Sequence, residues 1–137
     1  MERVVYDTNV WIAGLLKSGG FSARYLQVAR DRTVQVLYSR EISAEITEKL
    51  RHKFRWSESD IHWAMFHIRS MGEKVEIRGD LHVVAADPDD DKFLECALVG
   101  GASYIVSSDH HLRDLKEYEG IKIISVQEFL TIVRAQS

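Results

Sequence analysis

Apolar and polar positions along this chain alternate between two patterns. Arg3–Asp7 is a strand without polar alternation, as expected of one covered on both faces, and Val34–Tyr38, Tyr104–Ser107 and Ile121–Ile124 are further strands. Val75–Ile77 is a further short strand, and Leu81–Ala85 an extended segment. Between them the spacing turns helical. Val10–Lys17 reads as a short helix ended by Gly19-Gly20, and Ser22–Asp31 as the other arm of a helical hairpin. Ser39 caps a helix running to about Lys53, with Ile42, Ile46 and Leu50 on one face. Ser57 begins another helix, with Asp60 in a capping-box-like start, and Gly72 closes it. Lys92–Val99 ends at Gly100-Gly101, Leu112–Lys116 is a short helix, and Val126–Ala135 is the terminal one. Strands alternating with helices at this spacing predict a single domain over residues 1–137. Its fold class is α/β, a three-layer α/β/α arrangement around a parallel sheet of four to five strands.

Composition changes this picture little. The 137 residues are 45% hydrophobic and 28% charged, ordinary values for a folded protein with a sizeable core. No apolar run approaches the roughly 20 residues of a membrane span. The first strand begins at once, so no signal peptide is expected. A lone cysteine, Cys96, makes no internal disulfide, excludes Cys-rich zinc sites and fits a reducing cytoplasm.

Charge distribution says more than the net charge of −3. Asp87, Asp89, Asp90 and Asp91 crowd around Pro88, and Lys49, Arg51, Lys53 and Arg55 cluster with His52. Such clusters are commonly solvated faces. Together they also suit a protein that holds a polyanion and a divalent cation.

The carboxylates carry the candidate chemistry. Asp7 ends an apolar strand, where α/β sheets open their ligand crevice. It also suits an N-cap, a role that Thr8 or Asn9 can fill instead. Asp109 repeats the arrangement after Tyr104–Ser107, and it too can cap a short helix, His110–Leu115. Glu45 lies beside the apolar stripe of its helix, with Glu41 and Glu48 as rivals, and in isolation reads as a partner of Lys49. Four aspartates in five positions exceed what capping needs, and adjacent carboxylates repel unless a cation offsets them. Oxygen-only ligands suit Mg²⁺ or Mn²⁺. One or two such ions activate water and offset charge on a leaving oxygen, which is the chemistry of phosphodiester hydrolysis. His110 and His111 are adjacent and point apart, so they read as surface or substrate-side residues. Trp11, Trp56 and Trp63 read as core or interface residues.

Four stretches in order resemble a known family: Asp7-Thr8-Asn9, Ser39 through Glu45, Asp87 through Ala97, and Tyr104 through Leu112. On these the chain resembles a PIN domain over nearly its whole length. It is most similar to the branch of VapC-like toxins of toxin–antitoxin pairs. The resemblance implies that Asp7, Glu45, Asp90 and Asp109 are catalytic and hold one or two ions of Mg²⁺ or Mn²⁺, with Asp91 as rival to Asp90. It implies a ribonuclease, commonly a homodimer or higher homo-oligomer, with an antitoxin protein covering its site. Thr8 and Asn9 support Asp7 or contact phosphate. Ser107 stands where the family carries Thr, keeping the hydroxyl. Lys49, Arg51 and Lys53 are expected to steer RNA, with Arg55 beside them and Arg24 and Arg113 as weaker candidates.

Other readings fit less well. A haloacid-dehalogenase-type phosphatase needs a second Asp two residues after the first, where this chain has Asn9. A response-regulator receiver wants adjacent acids at the first strand end, where Tyr6-Asp7 stands. An RNA-processing nuclease outside a toxin–antitoxin pair, or a non-catalytic RNA-binding domain of the same fold, remains the alternative.

Overall fold

The computed structural model describes residues 1–16, 23–84 and 87–136. The chain runs β1 (Glu2–Tyr6), α1 (Thr8–Leu16), α2 (Arg24–Arg30), β2 (Val34–Tyr38), α3 (Arg40–His52), α4 (Glu58–Met71) and β3 (Gly72–Lys74). A 3₁₀ turn (Pro88–Asp90) then leads into α5 (Asp91–Gly100), β4 (Tyr104–Val106), α6 (His110–Arg113), β5 (Glu117–Tyr118), β6 (Ile121–Ile124) and α7 (Val126–Gln136). The strands form one sheet in the order β3-β2-β1-β4-β6-β5. Every pairing is parallel except β5 with β6. This is the α/β architecture that the alternation predicts, with helices flanking a mostly parallel sheet.

β1 is the pivot. Its register pairs Val5 with Leu37 of β2 on one side and Tyr6 with Val106 of β4 on the other. From β1 the chain winds outward through β2 and β3, then returns to build β4 and β6 on the opposite side. The junction of β1 and β4 is therefore the switch point, where open α/β sheets leave a crevice at their carboxyl ends. Val4, Val5 and Tyr6 are completely buried. The Tyr6 ring meets Trp11, Tyr25 and Phe129 edge-on at centroid distances of 5.3, 5.6 and 5.8 Å, a favoured aromatic geometry. The Tyr6 hydroxyl donates to Tyr25 O at 2.6 Å. The first strand end is thus held rigidly from below.

Several boundaries differ from the sequence pattern, each for a local reason. α1 starts at Thr8, two residues early, because Asp7 Oδ1 accepts the Val10 amide at 2.8 Å and caps the helix itself. The Gly19-Gly20 stop and Ser22 lie outside the described residues. β3 occupies Gly72–Lys74 rather than Val75–Ile77. Gly72 leaves α4 already extended, and a Cβ there would stand 2.7 Å from Tyr38 Cδ1. The pairing with β2 therefore begins at a glycine, opposite Val36, while Val75 buries its side chain in the core. α6 begins at His110, as the capping reading of Asp109 has it, and not at Leu112, because the Asp109 carboxylate accepts the His111 amide at 2.9 Å. β5 is an addition. It turns back on β6 through Glu119 and Gly120, both with positive φ (51° and 81°), as a tight hairpin requires. It closes one sheet edge with an antiparallel strand.

The chain between β3 and the 3₁₀ turn has no regular structure among its described residues, and α5 holds it with two acids. Glu95 accepts the amides of Arg78, Gly79 and Leu81 at 2.7, 3.0 and 3.4 Å. Asp91, one turn earlier, accepts those of Val83 and Val84 at 2.8 Å each. At its other end α5 stops on Gly101, whose φ of 71° is the left-handed conformation of a C-cap.

Candidate active site

A cavity of about 230 Å³ opens at the carboxyl ends of β1 and β4. Six carboxylates line it: Asp7, Glu45, Asp87, Asp89, Asp90 and Asp109. Thr8, Asn9, Lys49 and Phe93 complete the wall. Four separate elements deliver these groups. The end of β1 brings Asp7, α3 brings Glu45, the 3₁₀ turn brings Asp87 through Asp90, and the loop after β4 brings Asp109.

Asp7 is almost fully enclosed. Besides the Val10 amide, it accepts the Ser107 hydroxyl at 2.6 Å and the Ser108 amide at 3.1 Å, both on Oδ2. The Ser107 oxygen in turn accepts the Asp109 amide at 2.9 Å. One buried hydroxyl therefore ties the two strand-end aspartates together. Burial raises the Asp7 pKa, and the bonds from Ser107, Val10 and Ser108 partly offset this.

Asp87, Asp90 and Asp109 each bring a carboxylate oxygen within 4.8 Å of the others. Asp90 is buried, and its Oδ2 finds no hydrogen-bond partner among the described residues. Burial, a hydrogen bond with Asp109 and the charges of Asp109, Asp87 and Asp7 push its pKa up to about 8. Burial acts on Asp109 the same way, but the bond from Asp90, the His111 amide and the nearby histidines outweigh it and lower its pKa. The two neighbouring carboxylates are thus shifted in opposite directions, Asp90 up and Asp109 down. A buried acceptor left without a donor is costly. A hard cation ligated by oxygen satisfies it, and this donor set contains only oxygen. The residues fit a divalent metal ion.

Glu45 faces the same cavity with both oxygens engaged. Oε1 accepts the Thr8 hydroxyl, and Oε2 accepts the Lys92 ammonium at 2.9 Å. Lys92 escapes the sequence reading, which takes it only as a helix start. A lysine in the first turn of a helix opposes the helix dipole, and that mismatch beside four aspartates is the signal that marks it. At the rim, Lys49 Nζ donates to Asn9 Oδ1 at 3.3 Å.

Residues 3–111 match the sequence profile of the PIN domain. This chain belongs to the PIN domain family. PIN domains are, as a family, nucleases that use divalent metals and act on RNA or DNA. The chain is similar in fold to the crystal structure of PAE2754 from Pyrobaculum aerophilum, with a TM-score of 0.64. That likeness covers 98% of this chain and 91% of the other at 20% identity. No curated protein matches the chain significantly.

Within this PIN domain, the remaining candidates are distributed unevenly. Asp91 turns away to the Val83 and Val84 amides and lines no part of the acidic cavity. Ser107 is buried, so its hydroxyl serves Asp7 and Asp109 and presents no surface to a substrate. Of the basic cluster, only Lys49 reaches the cavity. Arg51 lies on another side of α3, in a two-pronged pair with Glu58 at 2.8 and 2.9 Å. Lys53 sits over the Phe54 ring, 5.5 Å from its centroid. Arg55 and Arg24 are exposed, and Arg113 is half-buried. His110 and His111 are exposed beside Asp109, with ring centroids 4.1 Å apart. Trp11 is wholly in the core and Trp56 packs against it, while Trp63 is partly exposed on α4. Among the described residues, no helix is long and apolar enough to cross a membrane.

Proposed function

We propose that this PIN domain is a divalent-metal-dependent endoribonuclease that hydrolyses RNA phosphodiester bonds. The observation that carries the reading is the buried, unpartnered Asp90 Oδ2, set among Asp87 and Asp109 at the sheet's switch point. Asp90 and Asp109, with Asp87 and Asp7 on the same cavity wall, would hold Mg²⁺ or Mn²⁺, and Glu45 lines the cavity with them. A bound divalent ion supplies water activation and charge neutralisation at the scissile phosphate.

The chain's own residues do the rest. Asp7 is held in one orientation by Ser107, Ser108 and Val10. Asp109 is fixed by its cap to His111. Asp87, Asp90 and Asp109 would hold a bound cation through carboxylate oxygens, and its charge would offset the repulsion among them. Asn9 and Lys49 stand at the rim, where the ammonium attracts the RNA backbone. Thr8 positions Glu45 through its hydroxyl.

The four motifs' resemblance to the VapC-like branch supports a toxin role, an antitoxin that covers the carboxylates and a homodimer or higher homo-oligomer, and the lone Cys96 fits a reducing cytoplasm. The test is cleavage of a fluorophore-labelled single-stranded RNA with Mn²⁺, Mg²⁺ or EDTA, comparing parent and Asp90→Asn. Metal-dependent cleavage that the variant loses supports the reading. Equal cleavage by both, or cleavage undiminished in EDTA, refutes it.

A further inference from the structure

We infer that Lys92 is a built-in second cation of the active site, so that the site takes one divalent ion per chain rather than two. This rests on the metal reading of the cavity and makes it more specific. Lys92 Nζ is anchored at three points. It donates to Glu45 Oε2 at 2.9 Å and to the carbonyl of Asp89 at 2.6 Å, and lies 4.9 Å from the centre of the Phe93 ring. Its side chain and that of Glu45 are mostly shielded, at 16% and 26% exposed, so solvent screens the pair less than at an open surface.

The consequence follows from counting ligands. Of the six carboxylates lining the cavity, Glu45 is the one that a described ammonium pairs with, so a second ion ligated by Glu45 competes with that charge. One Glu45 oxygen is occupied by Thr8 and the other by an ammonium. A divalent ion at Glu45 would have to expel Lys92 and sit beside a displaced positive charge. Among the described residues Asp90 and Asp109 make no ion pair with a lysine or arginine, and Asp90 Oδ2 is open. The site is divided: one half is open to a metal ion and the other is already neutralised by the protein. Lys92 lines the adjoining hollow and meets the acidic cavity through Glu45, so its fixed charge would offset negative charge on a phosphodiester bound there from behind that carboxylate.

Lys92→Met removes the charge while keeping the length of the stem, and Lys92→Arg keeps the charge. Mn²⁺ is titrated into each purified protein by calorimetry, and the bound ions are examined by electron paramagnetic resonance for coupling between neighbouring Mn²⁺ centres. Circular dichroism checks that each variant is folded. The expected result is one Mn²⁺ per chain in parent and Lys92→Arg, and two coupled Mn²⁺ in Lys92→Met. Glu45→Gln combined with Lys92→Met is expected to return the count to one. Two ions in the parent, or one ion in a folded Lys92→Met, overturns the inference while leaving the metal reading intact. No ion bound by the parent overturns both. The parent count alone remains decisive if Lys92→Met does not fold.

Discussion

Ser107 donates its hydroxyl to Asp7 across 2.6 Å, joining two residues a hundred positions apart in the chain. The bond exists because β1 and β4 are parallel neighbours, with Tyr6 opposite Val106. Each strand therefore ends at the same level, and the next residue of each, Asp7 and Ser107, turns its polar group toward the other.

Ser107→Ala should lower cleavage without unfolding the protein. Asp7 keeps two amide donors but loses its closest bond, and the Asp109 amide loses its acceptor. A hydrogen bond to a charged group contributes about 1.5–3 kcal/mol, so a drop in kcat/KM of roughly 10- to 100-fold is expected. Ser107→Thr retains the hydroxyl and should remain near parent activity. Steady-state cleavage of single-stranded RNA by the three proteins checks this.

Asp90 and Asp91 are adjacent and should behave oppositely. Asp91→Ala strips two loop amides of their acceptor, at a cost of about 1–3 kcal/mol, while Mn²⁺ affinity stays near parent. Asp90→Ala should abolish tight Mn²⁺ binding with little loss of stability in EDTA. Urea denaturation and calorimetry on the same preparations separate the two.

Glu95 is the stronger anchor of the same segment, with three amides on one carboxylate. Glu95→Gln offers only one acceptor oxygen and should loosen residues 78–81. Hydrogen exchange should show lost protection there, with protection of β1 and β4 unchanged.

The metal-free protein should lose stability as pH rises from about 4 to about 8. Asp90 has a folded pKa of about 8 against roughly 3.9 in an unfolded chain. Between those values the folded state holds a proton that the unfolded state has released, so raising pH favours unfolding. Asp7, also raised by burial, acts in the same direction. In EDTA the midpoint of thermal unfolding should therefore fall across this range. Asp90→Asn should flatten the slope, and saturating Mn²⁺ should remove it.

The sheet was readable because its central strands are buried on both faces and therefore uniformly apolar, as in Val4-Val5-Tyr6. Strand ends were readable for the same reason: Asp7 and the Ser107–Asp109 stretch are the first polar groups after such runs. The outer strands were not. Val75–Ile77 is apolar because Val75 packs in the core, whereas the pairing falls on Gly72–Lys74, which has no apolar signature. β5 spans two residues, too few for any period. Among the acids, composition showed an excess around Pro88 but not its division of labour. Asp91 faces loop amides and Asp90 faces the cavity because they lie on either side of the start of α5, a boundary that spacing alone leaves uncertain. Lys92 was hidden by its partner's distance in sequence, since Glu45 lies 47 positions away.

The most direct test of the central claim is Mn²⁺ calorimetry on the parent and Asp7→Asn, with cleavage of single-stranded RNA measured on the same samples. The account predicts that the parent binds Mn²⁺ and cleaves, and that Asp7→Asn, still folded, loses most of both. A parent that binds no Mn²⁺, or an Asp7→Asn protein that binds and cleaves like the parent, would contradict it.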